Sequence, residues 1–164
     1  MKIEDLNRAV VDLLRDNISN PTSNTAHWVY MDFPRSDATF PRISVTLSSS
    51  AINPAWIGNH MLNDAGEATL GMWVITTYDI DVWIERTNKS TGLDPVRGGT
   101  ALRDYITDLV ETIILEKKET MRTVHNVVDM EIIDRRTLPY DESTQLFRAT
   151  LVVRITHDRT FNPG

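Results

Sequence analysis

Two carboxylates two residues apart, Asp79 and Asp81, are the side chains of this chain best spaced to do chemistry. In an extended segment, residues i and i+2 share a face. The pair would then present its oxygens side by side, a set that suits magnesium or an acid–base couple. The segment that carries them argues against that use. Residues 72–86 (MWVITTYDIDVWIER) continue past Asp81 without a break, whereas a metal site of this spacing needs the open end of a strand. A charged rim or a contact between subunits accounts for the pair better. The four histidines, His27, His60, His125 and His157, are scattered and form neither H-x-x-x-H nor H-E-x-x-H. His60 with Asp64 and Glu67 could gather a cation, but a polar loop with incidental charges is the simpler reading. The serine triplet at 48–50 lacks the G-x-S-x-G elbow. The pair Gly98-Gly99 lacks both the G-K-[ST] of a phosphate loop and the spacing of a dinucleotide fingerprint. No catalytic residue, metal ligand set or cofactor is expected.

The elements that must position these residues are legible. Along residues 72–86, Met72, Val74, Thr76, Tyr78, Ile80, Val82 and Ile84 fall on one side. Trp73, Ile75, Thr77, Asp79, Asp81, Trp83 and Glu85 fall on the other. This is a long strand with one buried face and one mixed face. Two tryptophans and three acids on one strand face suit neither a dry core nor a plain solvated surface. Large aromatics among charges are typical of interfaces.

The first helix spans residues 3 to about 17, with Ile3, Leu6, Val10, Leu13 and Leu14 as its apolar stripe. A short strand within 27–33 is followed by an alternating strand over 42–48, with Ile43, Val45 and Leu47 inward. Residues 49–71 read as a long loop that carries Trp56, Ile57, His60, Met61 and Leu62, and so packs on something or meets a partner. Asp94-Pro95 can cap and open a second helix, but Gly98-Gly99 weakens that start and points to a beginning near Thr100; Leu102, Tyr105, Ile106, Leu109 and Ile113 form its stripe. Lys117-Lys118 are expected in its last turn. Strands over 127–134 and 145–157, linked by residues 139–144, form an antiparallel hairpin. Trp28 is expected in the core, and residues 158–164 read as a tail. The expected fold is α+β, a mostly antiparallel sheet with two amphipathic helices packed on one face. Its other face is left open.

Bulk properties narrow the function classes. A chain of 164 residues is expected to form a single domain. A net charge of −6 disfavours a duplex-binding surface as the main role. The absence of cysteine excludes disulfides and thiol chemistry. The opening residues read as an amphipathic helix, unlike a secretory signal, and no run approaches the ~18 apolar residues of a membrane span.

The order of these segments resembles a known family. IEDLNRAVVDLLRDN is followed by WVYMDFPRSDATFPRISV, then a variable loop, then YDIDVWIERTN, the helix ALRDYITDLVETIIL, and a C-terminal hairpin. This layout resembles the tail terminator, or tail completion, proteins of long-tailed bacteriophages and archaeal tailed viruses. FPRISV and the long strand carry the resemblance best. It implies a structural virion protein of the tail and neck, assembled in the host cytoplasm. Such a protein is no enzyme. It forms a homohexameric ring that caps the tail tube protein and joins it to the head connector. Six copies at −6 each carry about −36 before screening, so DNA would pass the channel without specific binding. By the same resemblance, Trp73, Asp79, Asp81, Trp83 and Glu85 are expected at the subunit interface. Trp56, Ile57, His60 and Met61 are expected to contact the tail or neck. The alternatives are a head-proximal neck adaptor and, further off, a small metal-dependent enzyme at Asp79 and Asp81.

Overall fold

The computed structural model describes residues 1–22, 27–34, 37–54, 60–62 and 68–161. The chain is α+β. Its elements are α1 (Ile3–Asn17), β1 (Val29–Met31), β2 (Arg42–Pro54), β3 (His60–Leu62), β4 (Ala68–Glu85), α2 (Gly99–Glu116), α3 (Lys118–His125), β5 (Val127–Asp141) and β6 (Leu146–Phe161). The strands form one sheet in the order β1-β2-β4-β6-β5, with β3 paired to β4 beyond the end of β2. Every pairing is antiparallel except β1 with β2.

The periodicity of each segment sets what it buries. On α1, Leu6, Val10, Leu13 and Leu14 are buried, with Ala9 and Val11 widening the stripe. On α2, Leu102, Ile106, Val110 and Ile114 are buried. The even face of β4 (Tyr78, Ile80, Val82, Ile84) meets Leu151, Val153 and Ile155 of β6 beneath these helices, and Trp28 joins the same core. Tyr78 is fully buried, and its hydroxyl donates to Asn7 Oδ1 at 2.6 Å, tying α1 to the sheet. Burial pushes the Tyr78 phenol above its ordinary value.

Several sequence expectations need correction. Residues 49–71 are not one long loop. β2 runs on to Pro54, β3 occupies 60–62, and β4 begins at Ala68. The second helix does not open at Asp94-Pro95. That peptide bond is cis, and the helix starts at Gly99, whose φ of 53° suits glycine. Lys117 ends α2 and Lys118 begins the additional helix α3, which closes on Asn126 in a left-handed conformation. The hairpin is longer than expected, and β6 extends through 158–161, where a tail was expected.

His157 lies on the helix-covered face of β6, in register with Val74 and Val127, and is 1% exposed. Its Nε2 has no hydrogen-bond partner among the described residues. The Met1 ammonium, which donates to the Asp158 carbonyl at 2.8 Å, is nearby. Burial holds the imidazole below its ordinary value. A backbone contact to Asp158 opposes that shift, while the Met1 ammonium and Arg159 add to it. The unfolded chain therefore takes up this proton first as pH falls. The stability it confers is whole above about pH 6.5 and is lost as pH drops towards the folded-state value. Urea titrations at pH 7.5 and 5.5 should show a smaller acid loss for His157→Phe than for the parent. An identical loss in the two proteins would mean that His157 is not a source of it.

Candidate functional site

The face of the sheet away from the helices is built by the odd residues of β4 and their lateral neighbours. Asp81 lies between Ser44 of β2 and Thr150 of β6, and Trp83 lies between Arg42 and Arg148. These rows form a closed polar layer. The Asp81 carboxylate accepts from Arg148 Nε at 3.0 Å and from Thr150 Oγ1 at 2.5 Å. The Trp83 indole N–H donates to Ser44 Oγ at 2.7 Å. The Arg148 guanidinium sits 4.6 Å from the Trp83 ring centroid and 5.6 Å from that of Phe33. Phe33 meets Trp83 edge-on at 6.2 Å. Asp81 is thereby 0% exposed, while Phe33, on top of the stack, remains 50% exposed.

This geometry corrects the reading of Asp81 as a subunit contact. The carboxylate is spent inside its own chain, under an arginine and two rings. The bonds from Arg148 and Thr150 both fall on Oδ1, and the buried Oδ2 has no partner among the described residues. Asp79 stands half-buried between Thr46 and Val152, without an ion pair among the described residues. Among those residues, no three metal-ligating side chains converge. Trp83 is half-buried, so part of its area is used within the chain.

Phe33, Phe40, Trp83, Glu85 and Leu146 line an open groove of about 460 Å³ beside this layer. Glu85 is half-buried there. At the far end of the same face, Trp73 is 40% exposed between Asn53 and Asp158. Trp73 and Trp83 are thus on one face but ten residues apart along it, and they do not form a single cluster. His60 and Met61 lie in β3, opposite Leu70 and Thr69. Trp56 and Ile57 fall outside the described residues.

The distal half of β2 is the most open part of the sheet. From Leu47 to Asn53 every residue is exposed, although successive residues point to opposite faces. Neither the helices nor the polar layer reaches this stretch, and Ile52 is left 55% exposed. Sequence reasoning missed Phe33, Ser44, Arg148 and Thr150 as parts of this surface. Their signal is the pairing of β4 with β2 and β6, which brings them beside Asp81 and Trp83. Comparison with known proteins gives no match to a family model and no significant match among curated proteins.

The polar layer makes an asymmetric prediction. Arg148→Met leaves the Asp81 charge in a dry site and should cost about 3 kcal/mol. Asp81→Ala strands an arginine that still reaches solvent and should cost about 2 kcal/mol or less. Denaturant unfolding of both variants checks this. Equal costs would mean that the two charges are equally well solvated.

Proposed function

We propose that the chain is a structural subunit of a virion, a tail-terminator-like protein that forms a homohexameric ring. The ring caps the tail tube, meets the head connector, and lets DNA pass without specific binding. It belongs to the tail and neck of the particle. The single observation that carries this reading is the excess of sheet over cover. The distal half of β2 has both faces exposed, and the sheet face away from the helices presents Trp73, Phe33 and the groove beside Trp83. Apolar side chains on an uncovered sheet face are what an assembling subunit retains for its neighbours. A ring needs two different, complementary surfaces on each copy, and the exposed side chains of this face flank them. Trp73 and Asp79 lie towards one end, and Glu85 with the Trp83 groove lies at the other. The order of segments that resembles tail terminators supports the same reading, as does the acidic balance of the chain.

No helix among the described residues is long and apolar enough to cross a membrane.

Light scattering after gel filtration, over a range of concentration and salt, should give a species of six chains, with a central hole in electron micrographs. Trp73→Ala should lower the mass of that species several-fold at a given concentration while leaving the unfolding free energy of the single chain within about 1 kcal/mol of the parent's. A strict monomer at every concentration would remove the ring and favour an adaptor that docks singly.

A further inference from the structure

The sheet has two open edges, and they are not alike. β1 covers β2 only at residues 43–45, so from Thr46 onward the outer edge of β2 has no partner strand among the described residues. Residues 46–53 (TLSSSAIN) contain no charged side chain. Charges, prolines and bulges are the usual means of keeping such an edge from pairing. β2 has one bulge, at Ser48, and nothing else of this kind before Pro54. β5, the opposite edge, carries three irregularities, Pro139 and a series of charges. Those charges are engaged within the chain: Asp129 with Lys118, Glu131 with Arg154, Asp134 with Arg136, and Arg135 with Asp108 and Glu111.

The two edges match in level and direction. The lateral rows run Ser49–Thr77–Arg154–Glu131, Ser50–Thr76–Ile155–Met130 and Ala51–Ile75–Thr156–Asp129. The free part of β2 therefore lies level with residues 127–132 of β5. Each stretch holds one bulge, at Ser48 and at Val128. Because β2, β4, β6 and β5 alternate in direction, a copy added head to tail sets its β2 antiparallel to the β5 it meets. The level of β5 nearer the hairpin turn faces β1, which blocks it. Only the 127–132 level is clear.

We infer that residues 47–52 of one copy pair with residues 127–132 of the next, so that the sheet continues from subunit to subunit. This rests on the ring reading, and names its lateral contact. The pairing is head to tail, as a ring requires. It covers Leu47, Ile52 and Val128, which are exposed in the single chain. It sets an uncharged strand against charges that already have partners, so no ion is buried alone.

The absence of cysteine makes a clean test possible. Ser49→Cys and Glu131→Cys share a row on one sheet face, and side chains directly opposite in paired strands come close enough for a disulfide. Under mild oxidation the double variant should give a covalent ladder of dimer, trimer and higher species ending at six. Each single variant should stay at the mass of one chain. A covalent dimer from Ser49→Cys alone would overturn the inference in favour of a two-fold pair. No ladder from a double variant that still scatters as six chains would overturn this contact and leave the ring standing. No ladder from a protein that scatters as a monomer would remove both.

Discussion

Strands and helices advance at different rates, and the layout of this protein follows from that mismatch. β4 has 18 residues and spans about 60 Å at ~3.3 Å per residue. α1 and α2, with 15 and 18 residues, span only about 22 and 27 Å at 1.5 Å per residue. The helical layer cannot cover the sheet it packs on. Where it does, Tyr78, Ile80, Val82 and Ile84 meet a continuous core. Where it does not, β2 runs on with both faces in solvent. β4 and β6 hold the whole length together, in register from Leu70 and Phe161 to Glu85 and Leu146. The free length of β2 is held by its backbone pairing to β4, while at the same level Thr76, Ile155, Met130 and Val127 of the neighbouring strands stay buried.

The face opposite the helices meets the same shortage of cover differently. No second layer of helix protects Asp81, so the protection is made from side chains. Arg148 lies over it, with Trp83 and Phe33 beside and above the guanidinium. This makes a buried charge tolerable without a hydrophobic roof. It also fixes which part of this face stays open. Trp73, Asp79 and the groove at Glu85 lie beyond the layer, whereas Asp81 and the indole N–H of Trp83 are consumed within it.

How much of this was legible in the sequence follows from which faces are buried. The first helix was readable to its ends, and the inward residues of β4 were readable one by one, because one-sided burial imposes a period. Residues 49–54 looked like loop for the complementary reason. A strand exposed on both faces has no face to mark, so SSAIN (residues 49–53) carries no alternation and its only structural sign is backbone pairing. Asp81 was placed on the correct face and given the wrong environment. Its partners come from β6, and the register that brings Arg148 and Thr150 beside it is not written in local periodicity. The helix α3 was missed because its eight residues bury only Met121, too little for an apolar stripe. The Asp94-Pro95 pair fits a helix start by residue type, but the chain turns there and begins the helix at the glycines.

The body of this protein is complete in one chain, and in the proposed ring other copies complete the free edges of β2 and β5. Residue-resolved hydrogen exchange at two protein concentrations tests this most directly. Amides of β4 and β6 between Tyr78 and Ile84, and between Phe147 and Val153, should be protected in dilute and concentrated protein alike. Amides of residues 47–52 and 127–132 on the open edges should exchange rapidly when dilute and become protected as concentration rises. Protection of those edges that does not change with concentration would contradict the claim.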